Sequence, residues 1–121
     1  MPSDALLIQK YNKIVLVSFQ RDRILNADEI NAIGDDLTAL VDQIPRISLV
    51  LEMSKVTAMS SMMLGKLVAI HKLIKSSKGR FCLTNLTKQV DPLFKVTKLN
   101  KVLDIQPDAQ KVLLLYQRKP L

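Results

Sequence analysis

A single histidine and a single cysteine, His71 and Cys82, stand eleven residues apart, and between them they offer the base and the thiol of a nucleophilic pair. Each sits in an apolar pattern that argues otherwise. His71 continues a helical stripe with Leu67 and Ile74, and Cys82 alternates with Phe81 and Leu83 as in a strand. Both read as packing residues, since a buried free cysteine behaves as a small hydrophobe. The adjacent carboxylates Asp28 with Glu29 and Asp35 with Asp36 read as helix N-terminal charge and solvated polar face rather than an acid and base pair. One His, one Cys and scattered carboxylates do not reach metal-ligand spacing, and Gly34, Gly65 and Gly79 are too isolated to cradle a phosphate. The expectation is a chain that is not an enzyme and needs no cofactor. What remains is the serine pair Ser60 and Ser61 in the run VTAMSSMMLGKL, residues 56–67. Free N–H groups and the positive end of a helix dipole would lie beside both hydroxyls, an environment that favours an anion. Two roles stay open there: an N-cap, or a hydroxyl displayed to receive a phosphoryl group.

The elements that must position this pair are legible in the flanking pattern. Two apolar runs, Leu6 to Ile8 and Ile14 to Phe19, separated by QKYNK, predict a β-hairpin. Ile30, Ile33, Leu37, Leu40, Val41 and Ile44 recur at helical spacing, with Asn26 and Glu29 placed as a capping box and Pro45 as the stop. RISLVLEM then reads as a strand covered on both faces. A second helix puts Leu64, Leu67, Val68, His71 and Ile74 on one side and spreads Lys66, Lys72, Lys75 and Lys78 over the rest, with Gly79 as its C-cap. RFCLTNL is a further strand, and Thr87 caps a short third helix that Pro92 limits. A brief strand at Val102 to Ile105 and a last helix opened by Pro107, with Val112, Leu113 and Tyr116 inward, complete the order ββαβαβαβα. This order predicts one α/β domain over residues 1–121, with a mixed sheet of four to five strands and about four helices.

Composition bounds the partners. A chain of 121 residues, 48% hydrophobic, suffices for one core. One cysteine excludes an internal disulfide, and neither a secretory leader nor a bilayer-length apolar run is present, so a cytoplasmic protein is expected. The net charge of +7 comes from residues 66–101, which hold nine Lys/Arg against one acid, Asp91. Such a block attracts anionic partners, although a solvated lysine surface explains it as well. Two aromatics, Phe81 and Phe94, without an Arg-rich run make nucleic acid a minor alternative.

Three ordered segments then carry a resemblance. VTAMSSMMLG, GRFCLTNL and VDPLFKVTKLNKVLDI look like the successive core motifs of the STAS domain family, the bacterial anti-sigma factor antagonists. The resemblance implies a regulatory domain that binds an anti-sigma factor or a related ATP-dependent serine kinase and is opposed by serine phosphorylation. Aligned on Leu64 and Gly65, Ser61 falls on the phosphoacceptor, with Ser60 as its alternative. Ser60 replaces the family's acidic residue, Met62 its second Ser or Thr, and Met63 its first Gly. Ser60, Ser61, Met62, Met63 and Lys66 form the expected contact surface, Lys66 as a cation one turn on that could pair with a phosphate. At least one methionine is expected to face outward as an adaptable apolar contact. A non-phosphorylated scaffold or dimer of this chain, and a binder of a small anionic or lipid ligand beside the second helix, are the other readings.

Overall fold

The computed structural model describes residues 4–121; Met1, Pro2 and Ser3 of the expected domain lie outside the described residues. Strands β1 (Leu6–Tyr11) and β2 (Ile14–Phe19) form the hairpin. Its turn is only Asn12 and Lys13, tighter than the five-residue break expected, because Asn12 adopts the left-handed conformation that Asn tolerates (φ 63°). Then follow β3 (Arg23–Ile24), α1 (Ala27–Gln43), β4 (Ser48–Glu52), β5 (Ala58–Met59), α2 (Ser61–Ser76), β6 (Arg80–Thr84), α3 (Asp91–Val96), a 3₁₀ turn at Leu99–Lys101, β7 (Ile105–Gln106) and α4 (Ala109–Arg118).

The main sheet runs β1-β2-β4-β6-β7, antiparallel only at the hairpin and parallel elsewhere. The strands alternate between two apolar layers. Val15, Val17, Phe19, Leu49, Leu51, Phe81 and Leu83 face α1, α2 and α3, whereas Leu16, Val50 and Cys82 face Ala109, Val112, Leu113 and Tyr116 of α4. Burial on both sides explains why β4 and β6 read as continuous apolar runs.

Helix α1 follows its sequence pattern. Ile30, Ile33, Leu37, Leu40 and Val41 are buried, and the Asn26 Oδ1 accepts the Glu29 N–H at 3.0 Å. Helix α2 is rotated from the expected face: its buried side is Met63, Leu64, Leu67, Ile70 and Ile74, while Val68 and His71 are half-buried. Lys78, not Gly79, takes the left-handed position after it (φ 63°). Gly79 serves close approach instead, since a Cβ there would collide with the Ile47 carbonyl oxygen.

Three smaller expectations are corrected. Thr87 does not cap α3 with its side chain; Val90 is the cap residue, and the Thr87 hydroxyl donates to the Val56 carbonyl at 2.6 Å. The strand expected at Val102 to Ile105 shrinks to β7 at Ile105–Gln106: Lys98 turns left-handed (φ 61°), a 3₁₀ turn follows at Leu99–Lys101, and Val102 to Asp104 are irregular, with Leu103 buried in the core. Pro107 lies outside α4, whose N-cap is Asp108, accepting from the Gln110 N–H at 2.9 Å.

Candidate functional site

The parallel strands fix where the serine pair stands: α2 begins beyond the C-terminal end of β4, and a five-residue loop with β5 carries the chain there. Main-chain bonds hold that loop from two directions. The Asp22 carbonyl accepts from the Thr57 N–H at 2.7 Å, the Ala58 N–H at 3.1 Å and the Thr57 hydroxyl at 3.2 Å. The parallel pairing of Ile24 with Met59 continues this contact, and the Ser60 N–H donates to the Ile24 carbonyl at 3.1 Å. On the other side, the Met53 N–H donates to the Thr84 carbonyl at 3.1 Å and Thr87 reaches Val56. The Glu52 carboxylate accepts from the Ser54 N–H at 2.6 Å and stiffens the first bend.

Within this frame the serines divide the labour. Ser60 has the extended backbone of a cap (φ −82°, ψ 163°), and its Oγ accepts from the Met63 N–H at 3.5 Å, a long bond. Ser61 is the first helical residue, exposed, and its hydroxyl has no partner among the described residues. No acidic side chain stands in the first turn of α2, so that turn supplies no counter-charge to the positive end of its dipole.

The two methionines separate by the 100° step of a helix. Met62 is 39% exposed and Met63 is 0% exposed, packed among the core residues. Met63 therefore leaves the expected contact surface: it fills the core beneath the first turn. Lys66 departs in another way. It lies five positions beyond Ser61, about 140° around the axis, and its aliphatic stem packs over Gly34 of α1, where a Cβ would meet its Cδ at 3.0 Å. The position facing Ser61 one turn on belongs to Gly65, which is exposed and where an added Cβ would meet nothing. One exposed apolar residue beside this site escaped the sequence reading. Leu25 is 45% exposed, and the bond from Ser60 to Ile24 places it beside the start of α2. No periodicity could flag it, because β3 is two residues long.

The remaining titratable candidates are dispersed. His71 lies on the α2 side with its ring 6.5 Å from that of Phe81, whereas Cys82 faces α4 through the sheet, so the pair cannot meet. Burial, with the nearby Asp104 charge adding, pushes the Cys82 thiol up to about 12. Among the described residues no three His, Cys, Asp or Glu side chains gather, and no helix is long and apolar enough to cross a membrane. Of the nine cations in residues 66–101, all but Lys66 and Arg80 are exposed. A cleft of about 670 Å³ opens away from the start of α2, at the opposite end of the sheet, between the hairpin turn and α4.

Comparison with known proteins agrees with this geometry. No curated protein sequence matches the chain. The fold matches a candidate anti-sigma factor antagonist from Thermotoga maritima with a TM-score of 0.80 at 19% identity, covering 94% of this chain and 96% of that one. An anti-sigma-factor antagonist (STAS) domain protein from Planctomyces limnophilus matches with a TM-score of 0.79 at 20% identity, over 91% and 95% of the two chains. The Bacillus cell fate determinant SpoIIAA in its phosphorylated form gives 0.67 at 11% identity, over 92% and 99%. The family model of the STAS domain matches residues 5–112, nearly the whole described chain, and the protein belongs to the STAS domain family.

Proposed function

We propose that this STAS domain is a binding switch of the anti-sigma factor antagonist kind. In this reading the unmodified start of α2 engages an anti-sigma factor or a related ATP-dependent serine kinase, and phosphorylation of Ser61 opposes the contact. The observation that carries it is the division between the serines: Ser60 caps the helix, which leaves the exposed Ser61 hydroxyl uncommitted. A phosphoryl group would add about −1.5 to −2 charges at neutral pH, next to helix N–H groups and with no acid in the same turn to repel it. The free domain tolerates that charge. An interface pressed over it does not, because the phosphate must shed water and meet whatever acids the partner presents. Met62 and Leu25, both partly exposed beside the serine, supply apolar anchors for the unmodified contact. SpoIIAA, a fold neighbour described in a phosphorylated form, supports the same reading.

The test is to incubate the protein with its cognate kinase and ATP and to map the modified residue. Phosphate on Ser61, with loss of partner binding that Ser61→Asp reproduces and Ser61→Ala does not, is the expected result. A second reading, a contact module without a switch, is favoured by the replacement of an acidic residue by Ser60 and of small residues by Met62 and Met63. It predicts that Ser61→Ala and Ser61→Asp bind the partner equally well.

A further inference from the structure

The cleft between the hairpin turn and α4 has a volume of about 670 Å³, within the range of about 300–1,000 Å³ usual for small-molecule sites. It opens where β2, β4 and β6 begin, at the end of the sheet away from Ser61. Among its lining side chains, Lys13, Arg46 and Arg80 are basic and none is acidic. Tyr11, Ile14 and Tyr116 provide apolar wall beside these cations.

Arg80 is the informative residue. It is half-buried, and its guanidinium lies 4.0 Å over the Tyr116 ring centroid. Its Nε donates to the Ser48 hydroxyl at 3.1 Å, one Nη to the Lys119 carbonyl at 2.6 Å and the other to the Tyr116 carbonyl at 3.5 Å. All of these partners are neutral. The ion pairs among the described residues are Arg21 with Glu29 and Lys95 with Asp91, so a partly desolvated guanidinium is held rigidly without a counter-ion. Two of its five N–H donors remain unspent. A cation fixed in this way forms a charge-assisted bond at little further cost in side-chain entropy. The Tyr116 phenol is neutral at physiological pH and burial pushes its pKa still higher, so it adds no competing negative charge.

We infer that this cleft is a binding site for a small amphipathic organic anion, its carboxylate or phosphate set against Arg80, Lys13 and Arg46 and its apolar body against Ile14 and Tyr11. The site is distinct from the surface around Ser61, so its fate and that of the switch are independent. Titration of the full chain with decanoate, decanol and inorganic phosphate tests it, followed by calorimetry and by amide chemical shifts. Saturable decanoate binding that shifts the amides of residues 13, 46 and 80 is expected, with decanol and inorganic phosphate each at least about tenfold weaker. The exposed double variant Lys13→Gln, Arg46→Gln should weaken decanoate by about tenfold with the fold intact, which keeps the test valid if Arg80→Gln fails to fold. Decanol equal to decanoate would overturn the role of the cations, and inorganic phosphate equal to decanoate that of the apolar wall. Absence of saturable binding, or shifts confined to another face, would overturn the site itself.

Discussion

Helices α1 and α2 lie side by side on one face of the sheet, yet their N-termini are furnished in opposite ways. The first turn of α1 carries Asp28 and Glu29, and its Asn26 cap bond is short at 3.0 Å. The first turn of α2 carries no acid, its Ser60 cap bond is 3.5 Å long, and a bare hydroxyl stands next to it. In α1 the positive end of the helix is neutralised by permanent, encoded charge. In α2 it is left open, the electrostatic condition under which a reversible charge is accepted without loss of stability. The difference teaches that the α2 terminus is not optimised for holding its helix.

The sharpest way to break this comparison is at the methionines. Met63→Ala empties fully buried volume under α2 and should cost about 2–5 kcal/mol in urea or thermal unfolding. Met62→Ala should change stability by no more than about 0.5 kcal/mol while weakening partner binding. Equal effects on stability would erase the division between core and contact residue. Next in size are the caps. Asn26→Ala and Ser60→Ala should each cost about 0.5–2 kcal/mol, with the larger loss at Asn26, whose bond is shorter. A larger loss at Ser60 would mean that the α2 terminus is the better built of the two. Smallest is the dipole itself. Ser61→Asp should stabilise the free domain by about 0.3–1 kcal/mol at low ionic strength, and Asp28→Asn should remove a similar amount from α1. Both effects should fade in salt, and the gain from Ser61→Asp should vanish as acid protonates the new carboxylate.

How much of this was legible depended on the length of each element. The stripe from Ile30 to Val41 spans three turns and could be read without the structure, as could the alternation of Phe81, Cys82 and Leu83. The face of α2 is not legible from spacing because its apolar residues nearly encircle it, and only packing selects Met63 and Ile70 over Val68 and His71. Extending the spacing backward from Ile74 through Ile70 and Leu67 to Met63 would have found the buried methionine. The paired strands β3 and β5 are two residues each, too short for any period, and their pairing is a tertiary event. Lys66 lies off the Ser61 face for a simpler reason: five residues along a helix is not one turn.

The short ladder between β3 and β5 has one last consequence. Its bonds join main-chain atoms, the carbonyls of Asp22 and Ile24 with the amides of Thr57, Ala58 and Ser60, and only the Thr57 hydroxyl joins from a side chain. A platform anchored in this way hardly registers which residues it displays. Mutation can rewrite the exposed side chains at positions 61 and 62 without moving the point in space where the proposed contact lies. Under the proposed contact, partner choice can therefore drift while the mounting stays fixed.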